Sequence, residues 1–422
     1  MQKIAYFCTA KRKFNMLEYN TTTLPSGLRI VHRYNNQHVG YCGIMVDCGT
    51  RHEVDPRDFG LAHFIEHILF KGTTHRDAWH INQRIESVGG ELNAFTTKED
   101  TTYYATFLAK DFPRACELLC DLLCHPAAPQ QELEKEQEVV VEEIESYRDN
   151  PAELIYDVFE NRLYAGTALG HNILGSEETV RAFDHDRCID FLRRNYTPQR
   201  MVFFAYGPMS WDQVVRTVEK YYDLAPSAPT VASSDAPIHY APEPCEAESQ
   251  HQSHCILGGR TYPIGHPDGA ALALLNNLLG GPGMNSRLNQ QLREKRGLVY
   301  TVESNLTHYT DGGYLSIYFG CDQHDTDRCI RLCRKELQRL IDTPLTARQL
   351  QAAQQQYKGQ LGISTANLEN NALALAKSLL RRGKIETLDE VCAHIDAVTP
   401  DQLQRVAAEL FAEDRLLEVR TR

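Results

Sequence analysis

Two stretches of this chain about 210 residues apart run through the same order of signals, and that internal repetition restricts the possible folds more than any other feature. Asp58-Phe59-Gly60-Leu61-Ala62 and Asp268-Gly269-Ala270-Ala271-Leu272 each open a run with helical periodicity. The aromatic alternation Tyr103-Tyr104-Ala105-Thr106-Phe107 is answered by Gly313-Tyr314-Leu315-Ser316-Ile317, and a helix is expected to follow each, starting near Arg114 and Arg328. Two copies of one unit are therefore expected.

Within each copy, short alternating runs such as Leu28-Arg29-Ile30-Val31-His32 read as half-buried strands, and the longer 3.6-period runs read as helices. Strands and helices mix without strict alternation. The expected class is α+β, with two homologous domains, each a mainly antiparallel sheet with helices packed on one face. A length of 422 residues suits two cores. The Pro-, Ala- and Ser-rich stretch 224–244 is the expected linker between domains at 16–223 and 245–422. Met16 offers a second start, which would leave residues 1–15 as an upstream extension.

Composition excludes several functions. With 56 acidic against 44 basic residues and a net charge of -12, the chain has no basic footprint for a phosphate backbone, so no nucleic-acid partner is expected. No apolar run approaches the ~20 residues that span a bilayer, and the first residues lack the apolar core of a signal peptide. The expected setting is cytoplasmic, away from membranes. The 13 cysteines include no Cys-x-x-Cys pair and read as reduced thiols; Cys116, Cys120 and Cys124, four apart, read as an apolar stripe facing a core.

The chemistry concentrates in His63-Phe64-Ile65-Glu66-His67, inside an apolar-periodic run. At ~100° per residue the two histidines and Glu66 fall within one ~100° arc of a helix, so two imidazoles can share one zinc while a glutamate reaches the metal's water. This order is the inverted form of the zinc-peptidase motif. The second copy carries Ala273, Asn276 and Asn277 at the equivalent positions, so packing of the helix does not require these residues. A catalytic zinc wants a third protein ligand. The glutamate-rich helix downstream offers Glu132, Glu134, Glu136, Glu138, Glu142, Glu143 and Glu145, and spacing alone does not choose among them. Glu136 and Glu143, two turns apart on one face with Val139 and Val140, are a sensible pair but not a unique one.

The segment from His63 through Ile68-Leu69-Phe70-Lys71-Gly72-Thr73 resembles the signature of the M16 family, which includes pitrilysin, insulin-degrading enzyme and the mitochondrial processing peptidase. The resemblance extends through Gly90-Glu91-Leu92-Asn93-Ala94, Glu136 to Glu143 and Leu169-Gly170-His171-Asn172-Ile173-Leu174-Gly175. In the second half it includes Ser286-Arg287-Leu288 and Arg293-Glu294-Lys295-Arg296-Gly297-Leu298-Val299-Tyr300. It implies one Zn2+ per chain, held by His63, His67 and Glu143, with Glu66 as general base on an activated water and Glu136 orienting a ligand. It also implies a substrate-binding strand edge at Asn93 and Ala94, where the residues alone also allow a turn after Gly89-Gly90. Arg293 and Tyr300 match the pair that completes the family's site.

The function implied is a metalloendopeptidase that cuts short unfolded peptides inside a closed chamber. Since longer relatives carry four such units and this chain two, a homodimer with a composite active site is expected. The alternative is a non-catalytic scaffold or processing-partner subunit of the same fold. Such subunits lack parts of the metal motif, which this chain keeps whole. A different zinc hydrolase using the same residues is a further rival.

Overall fold

The computed structural model describes residues 19–226, 246–247 and 252–421. The expected linker lies outside the described residues except for 224–226, and so does the segment that holds Met1 and Met16.

The first half contributes strands β1 (Tyr19–Thr23), β2 (Arg29–Tyr34), β3 (Val39–Val46), β4 (Glu91–Thr96), β5 (Thr101–Leu108) and β6 (Met201–Gly207). Its helices are α1 (Leu61–Leu69), α2 (Ala78–Glu86), α3 (Phe112–Cys124), α4 (Gln130–Arg148), α5 (Pro151–Leu163), α6 (Glu177–Arg181), α7 (His185–Asn195) and α8 (Trp211–Tyr221). The second half has strands β7 (Glu246–Ala247), β8 (Ser253–Thr261), β9 (Val299–His308), β10 (Gly313–Cys321) and β11 (Leu417–Thr421). Its helices are α9 (Gly269–Gly280), α10 (Thr326–Asp342), α11 (Ala347–Ser364), α12 (Leu368–Arg382), α13 (Leu388–Asp396) and α14 (Pro400–Leu410). None of the described helices is long and apolar enough to cross a membrane.

The two sheets share one plan. The first runs β1-β2-β6-β3-β5-β4 and the second β7-β11-β8-β10-β9, so β2, β6, β3, β5 and β4 correspond in order to β7, β11, β8, β10 and β9. In each sheet one pair is parallel, β2 with β6 and β7 with β11, and the remaining pairs are antiparallel. β4 and β9 are therefore equivalent edge strands. Asn93 and Ala94 sit within β4, opposite Tyr104 and Tyr103, and not in a turn; the chain turns before them, at Gly89 with φ 76.

One face of the first sheet builds a core with α1, α3 and α7, centred on residues such as Phe64, Ile65, Leu118, Leu119 and Phe191. Burying a side chain of that size contributes roughly 1.5–3 kcal/mol. Cys116 and Cys120 are buried in this core and Cys124 is half-buried against it. The opposite face is covered by the other half of the chain: Ala372, Leu375, Ala376 and Leu379 of α12 pack on Val31, Met45, Val202 and Phe204. Reciprocally, Ile155, Phe159 and Leu163 of α5 pack on Ile256, Tyr314 and Val419 of the second sheet. Each half lends a helix to its neighbour's sheet. Polar contacts tie the same seam, with Arg381 pairing with Asp47 and Asp100, Arg51 with Asp311, and Tyr309 hydrogen-bonding to Glu160.

Candidate metal centre

Helix α1 has to start abruptly to present its histidines, and Gly60 permits this with φ 95, a left-handed conformation that glycine adopts without strain. A Cβ there would stand 2.6 Å from the carbonyl oxygen of Leu174. The helix N-terminus is capped by Glu53, whose two carboxylate oxygens accept from the backbone N–H groups of Gly60 (2.9 Å) and Ala62 (2.7 Å). His171 closes the cap, with Nε2 2.9 Å from Glu53 Oε2 and its ring stacked on Phe59 at 3.8 Å. Both Glu53 and His171 are buried. Burial pushes the Glu53 carboxyl well above its usual range; burial, with Lys98 nearby, pushes His171 down to about 4.

On α1, Leu61, Phe64, Ile65, Ile68 and Leu69 face the core, and His63, Glu66 and His67 face α4 and β4. Glu143 of α4 reaches across to the histidines, with Oε2 3.7 Å from His63 Nε2 and 3.6 Å from His67 Nε2. One ligand atom from each of the three residues lies within 4.8 Å of the others. His67 is oriented from behind: its Nδ1 is 2.8 Å from Glu136 Oε1, and Glu136 Oε2 is 2.7 Å from Lys71 Nζ. Donation from Nδ1–H fixes the tautomer and leaves the Nε2 lone pair facing Glu143. Val139, expected on the inward face of α4, is 47% exposed; that face is formed by Leu133, Glu136, Val140, Val141 and Ile144.

Electrostatics separate these groups. Burial pushes His63 down to about 3, helped by the nearby His67, so His63 offers a neutral imidazole. Burial opposes protonation of His67 too, but the hydrogen bond and charge of Glu136 outweigh it and raise the pKa. Burial raises Glu66 and Glu143, whereas in Glu136 the bonds from His67 and Lys71 overcome burial and lower it. Two imidazoles and a carboxylate are a zinc donor set. Tetrahedral ligands on zinc stand about 3.3 Å apart, so the 3.6 and 3.7 Å separations need to close by only a few tenths of an ångström. Three carboxylates, Glu66, Glu136 and Glu143, surround the pair. The residues present fit the metal.

Glu66 is partly buried and its Oε2 accepts from Thr96 Oγ1 at 2.5 Å. Thr96 ends the edge strand β4, which brings the carboxylate to the end of the sheet's unpaired edge. The second half repeats this contact without the chemistry: Ser304 Oγ of β9 donates to Asn276 of α9 at 2.5 Å. Arg293 and Tyr300 lie elsewhere. Arg293 is exposed on the π-helical turn Asn289–Glu294, and Tyr300, on β9, is 64% exposed. Among the described residues neither forms a hydrogen bond or ion pair with His63, Glu66, His67 or Glu143. Sequence reading assigned no role to Glu53, Lys71 or Thr96, and it quoted His171 in a motif without one; the signal available for His171 was its place between Gly170 and Gly175, which pack tightly against backbone.

Comparison with known proteins bears on the family and the fold. Residues 29–177 match the family described as insulinase (peptidase family M16), and residues 182–357 match the family described as the peptidase M16 inactive domain. A Bacillus subtilis protein named as the uncharacterized zinc protease YmxG is 34% identical over 397 residues, covering 94% of this chain and 96% of that protein. The human mitochondrial-processing peptidase subunit beta is 28% identical over 411 residues, covering 93% of this chain and 82% of that protein. A protease structure from Helicobacter pylori superposes with a TM-score of 0.87 at 21% identity, covering 96% of this chain and all of that one; at that identity it speaks for the fold alone. With 34% identity over nearly its whole length to a relative of this kind, and both halves matched to the family's two domains, the chain belongs to the M16 (insulinase) family of peptidases.

Proposed function

We propose that this chain is a zinc-dependent endopeptidase that hydrolyses peptide bonds in short, unfolded peptides. The observation that carries the reading is the convergence of His63, His67 and Glu143 within 4.8 Å, with Glu66 on the same face of α1 at the end of an open sheet edge. His63, His67 and Glu143 would hold the zinc, and Glu136 with Lys71 would keep His67 aimed at it. When bound, zinc supplies Lewis acidity, polarising a carbonyl and making water nucleophilic near neutral pH.

Glu66 accepts the proton of the attacking water on its free oxygen while Thr96 holds the other, then passes that proton to the departing amine. Burial raises its affinity for the proton, which suits a group that must both take and return one. Peptide adds to β4 as a further strand beside Asn93 and Ala94, so recognition is mostly of backbone and tolerates varied side chains. Arg293 and Tyr300 come from a second copy of the chain in a homodimer. There they grip the substrate backbone or stabilise negative charge on the scissile carbonyl. Two copies closing on each other form the chamber that admits peptides and excludes folded proteins.

Zinc content and a mass-spectrometric digest of a mixed peptide pool, measured on one preparation, test the proposal. One zinc per chain with cleavage that disappears in Glu66→Gln supports it. Zinc without cleavage points to a partner-subunit role. Cleavage that persists in Glu66→Gln overturns the assignment of the base.

A further inference from the structure

We propose that His75, Asp121 and His125 form a second divalent-cation site, of the zinc class, separate from the centre on α1 and α4. One ligand atom from each lies within 4.8 Å of the others, the only described cluster besides His63, His67 and Glu143 that meets this condition. The imidazole pairs match: the rings of His75 and His125 stand 4.6 Å apart at 71°, those of His63 and His67 4.6 Å apart at 65°.

The hydrogen bonding around His125 is what points to a cation. Its Nε2 lies 3.1 Å from Asp223 Oδ2, the carboxylate–histidine arrangement that fixes a ligating tautomer, as Glu136 does for His67. With the proton on Nε2, Nδ1 presents a lone pair. That atom is buried and has no hydrogen-bond partner, yet it faces Asp121 Oδ1 at 3.2 Å. Two lone-pair atoms held so close repel unless a proton or a cation lies between them, and a cation would serve His75 as well. The spacing matches the about 3.3 Å between ligands of a tetrahedral zinc. His75 Nδ1 approaches the same oxygen at 2.5 Å from the open side, a hydrogen bond that a bound cation would replace, opening the pair to about 3.3 Å by movement of the exposed His75 ring. Asp121 itself is 4% exposed, and its other oxygen is taken by Thr73 Oγ1 and Arg76, leaving Oδ1 for the histidines. Two imidazoles and a carboxylate suit zinc and its transition-metal neighbours better than calcium or magnesium.

The scaffold is already in place. Thr74 N donates to the His125 carbonyl and Ala127 N to the Gly72 carbonyl, so the segment after α1 is tied to the end of α3. A cation here would staple the segment just beyond Lys71, the residue paired with Glu136, to α3 and, through Asp223, to the chain following α8. The role is structural. Because Arg76 shares the carboxylate, the site is expected to bind more weakly than the His63 centre.

The test uses the full-length chain and zinc chloride, with isothermal titration and equilibrium dialysis. Wild type should take up two zinc ions per chain, and His63→Ala/His67→Ala one. Adding His75→Ala to that variant should weaken the remaining site by roughly tenfold or more. Zinc should also raise the Tm of the double variant, and His75→Ala should remove the gain. His75 is 57% exposed at its side chain, so its truncation spares the fold, which far-UV circular dichroism checks. If the double variant does not fold, the step from two ions in wild type to one in His75→Ala decides the matter. No zinc uptake beyond the first ion in wild type would overturn the proposal, and so would a second ion unaffected by both His75→Ala and His125→Ala.

Discussion

Glu66 and Glu143 carry the same carboxylate into one cluster, and their surroundings differ. Thr96 holds Glu66 by one oxygen, whereas Glu143 points an oxygen at two imidazole nitrogens. Glu66→Gln keeps the shape and the Thr96 contact but cannot take a proton, so turnover should fall by roughly 10²–10⁴-fold with zinc content unchanged. Loss of zinc in that variant would transfer Glu66 to the ligand set. Glu143→Gln should cost more than the roughly 10–100-fold in zinc affinity that follows loss of an orienting partner, while Glu142→Gln and Glu145→Gln, both exposed, should leave affinity intact. Competition with a chromophoric chelator reads all three. The histidines and Glu66 were legible because three and four residues along a helix is one face. Glu143 was named through the family resemblance and not through spacing, since seven glutamates on one helix exhaust what periodicity can say; the approach of α4 to α1 sets it beside the histidines. Glu53 and His171 were beyond reach for a similar reason: they meet across 118 residues of chain.

At the scale of elements, the placement of α1 depends on its start. Removing the Glu53 carboxylate leaves the N–H groups of Gly60 and Ala62 buried without acceptors, and Glu53→Ala should destabilise the first half by roughly 2–4 kcal/mol, read by urea unfolding. A loss below about 0.5 kcal/mol would mean that water replaces the cap. His171 gives the same region a pH dependence. Its folded pKa, about 4, lies below the usual value of 6.5, so the unfolded chain binds the extra proton first as pH falls. Its contribution is complete above about pH 6.5 and is lost as pH drops through about 4. His171→Gln should flatten the slope of Tm against pH in that window. The repeat made the paired strands and helices readable, whereas the edge position of β4 was implied by the family resemblance through Asn93 and Ala94. The exchange of α5 and α12 was not readable. An amphipathic helix declares that it has an apolar face, but Leu375 and Phe159 carry no mark of which sheet they cover.

For the whole molecule the question is whether the proposed roles of Arg293 and Tyr300 are exercised in another chain. Both are exposed, and within one chain neither bonds to His63, Glu66, His67 or Glu143. Their exposure on and beside β9, the counterpart of the edge strand next to Glu66, suits residues presented to another chain. A two-fold homodimer would deliver them reciprocally, each copy completing the other's site. Glu66→Gln protein lacks the base but carries an intact Arg293; Arg293→Ala protein carries the base but lacks the arginine. Each alone should be inactive or nearly so. After subunits exchange, half the dimers are mixed, and each mixed dimer holds one site with both residues intact and one with neither. Peptide hydrolysis should therefore recover to roughly a quarter of wild type at equal mixing. If the halves of a single chain instead close over their own metal, every zinc site stays defective in one residue and no activity returns, however long the two proteins are left together.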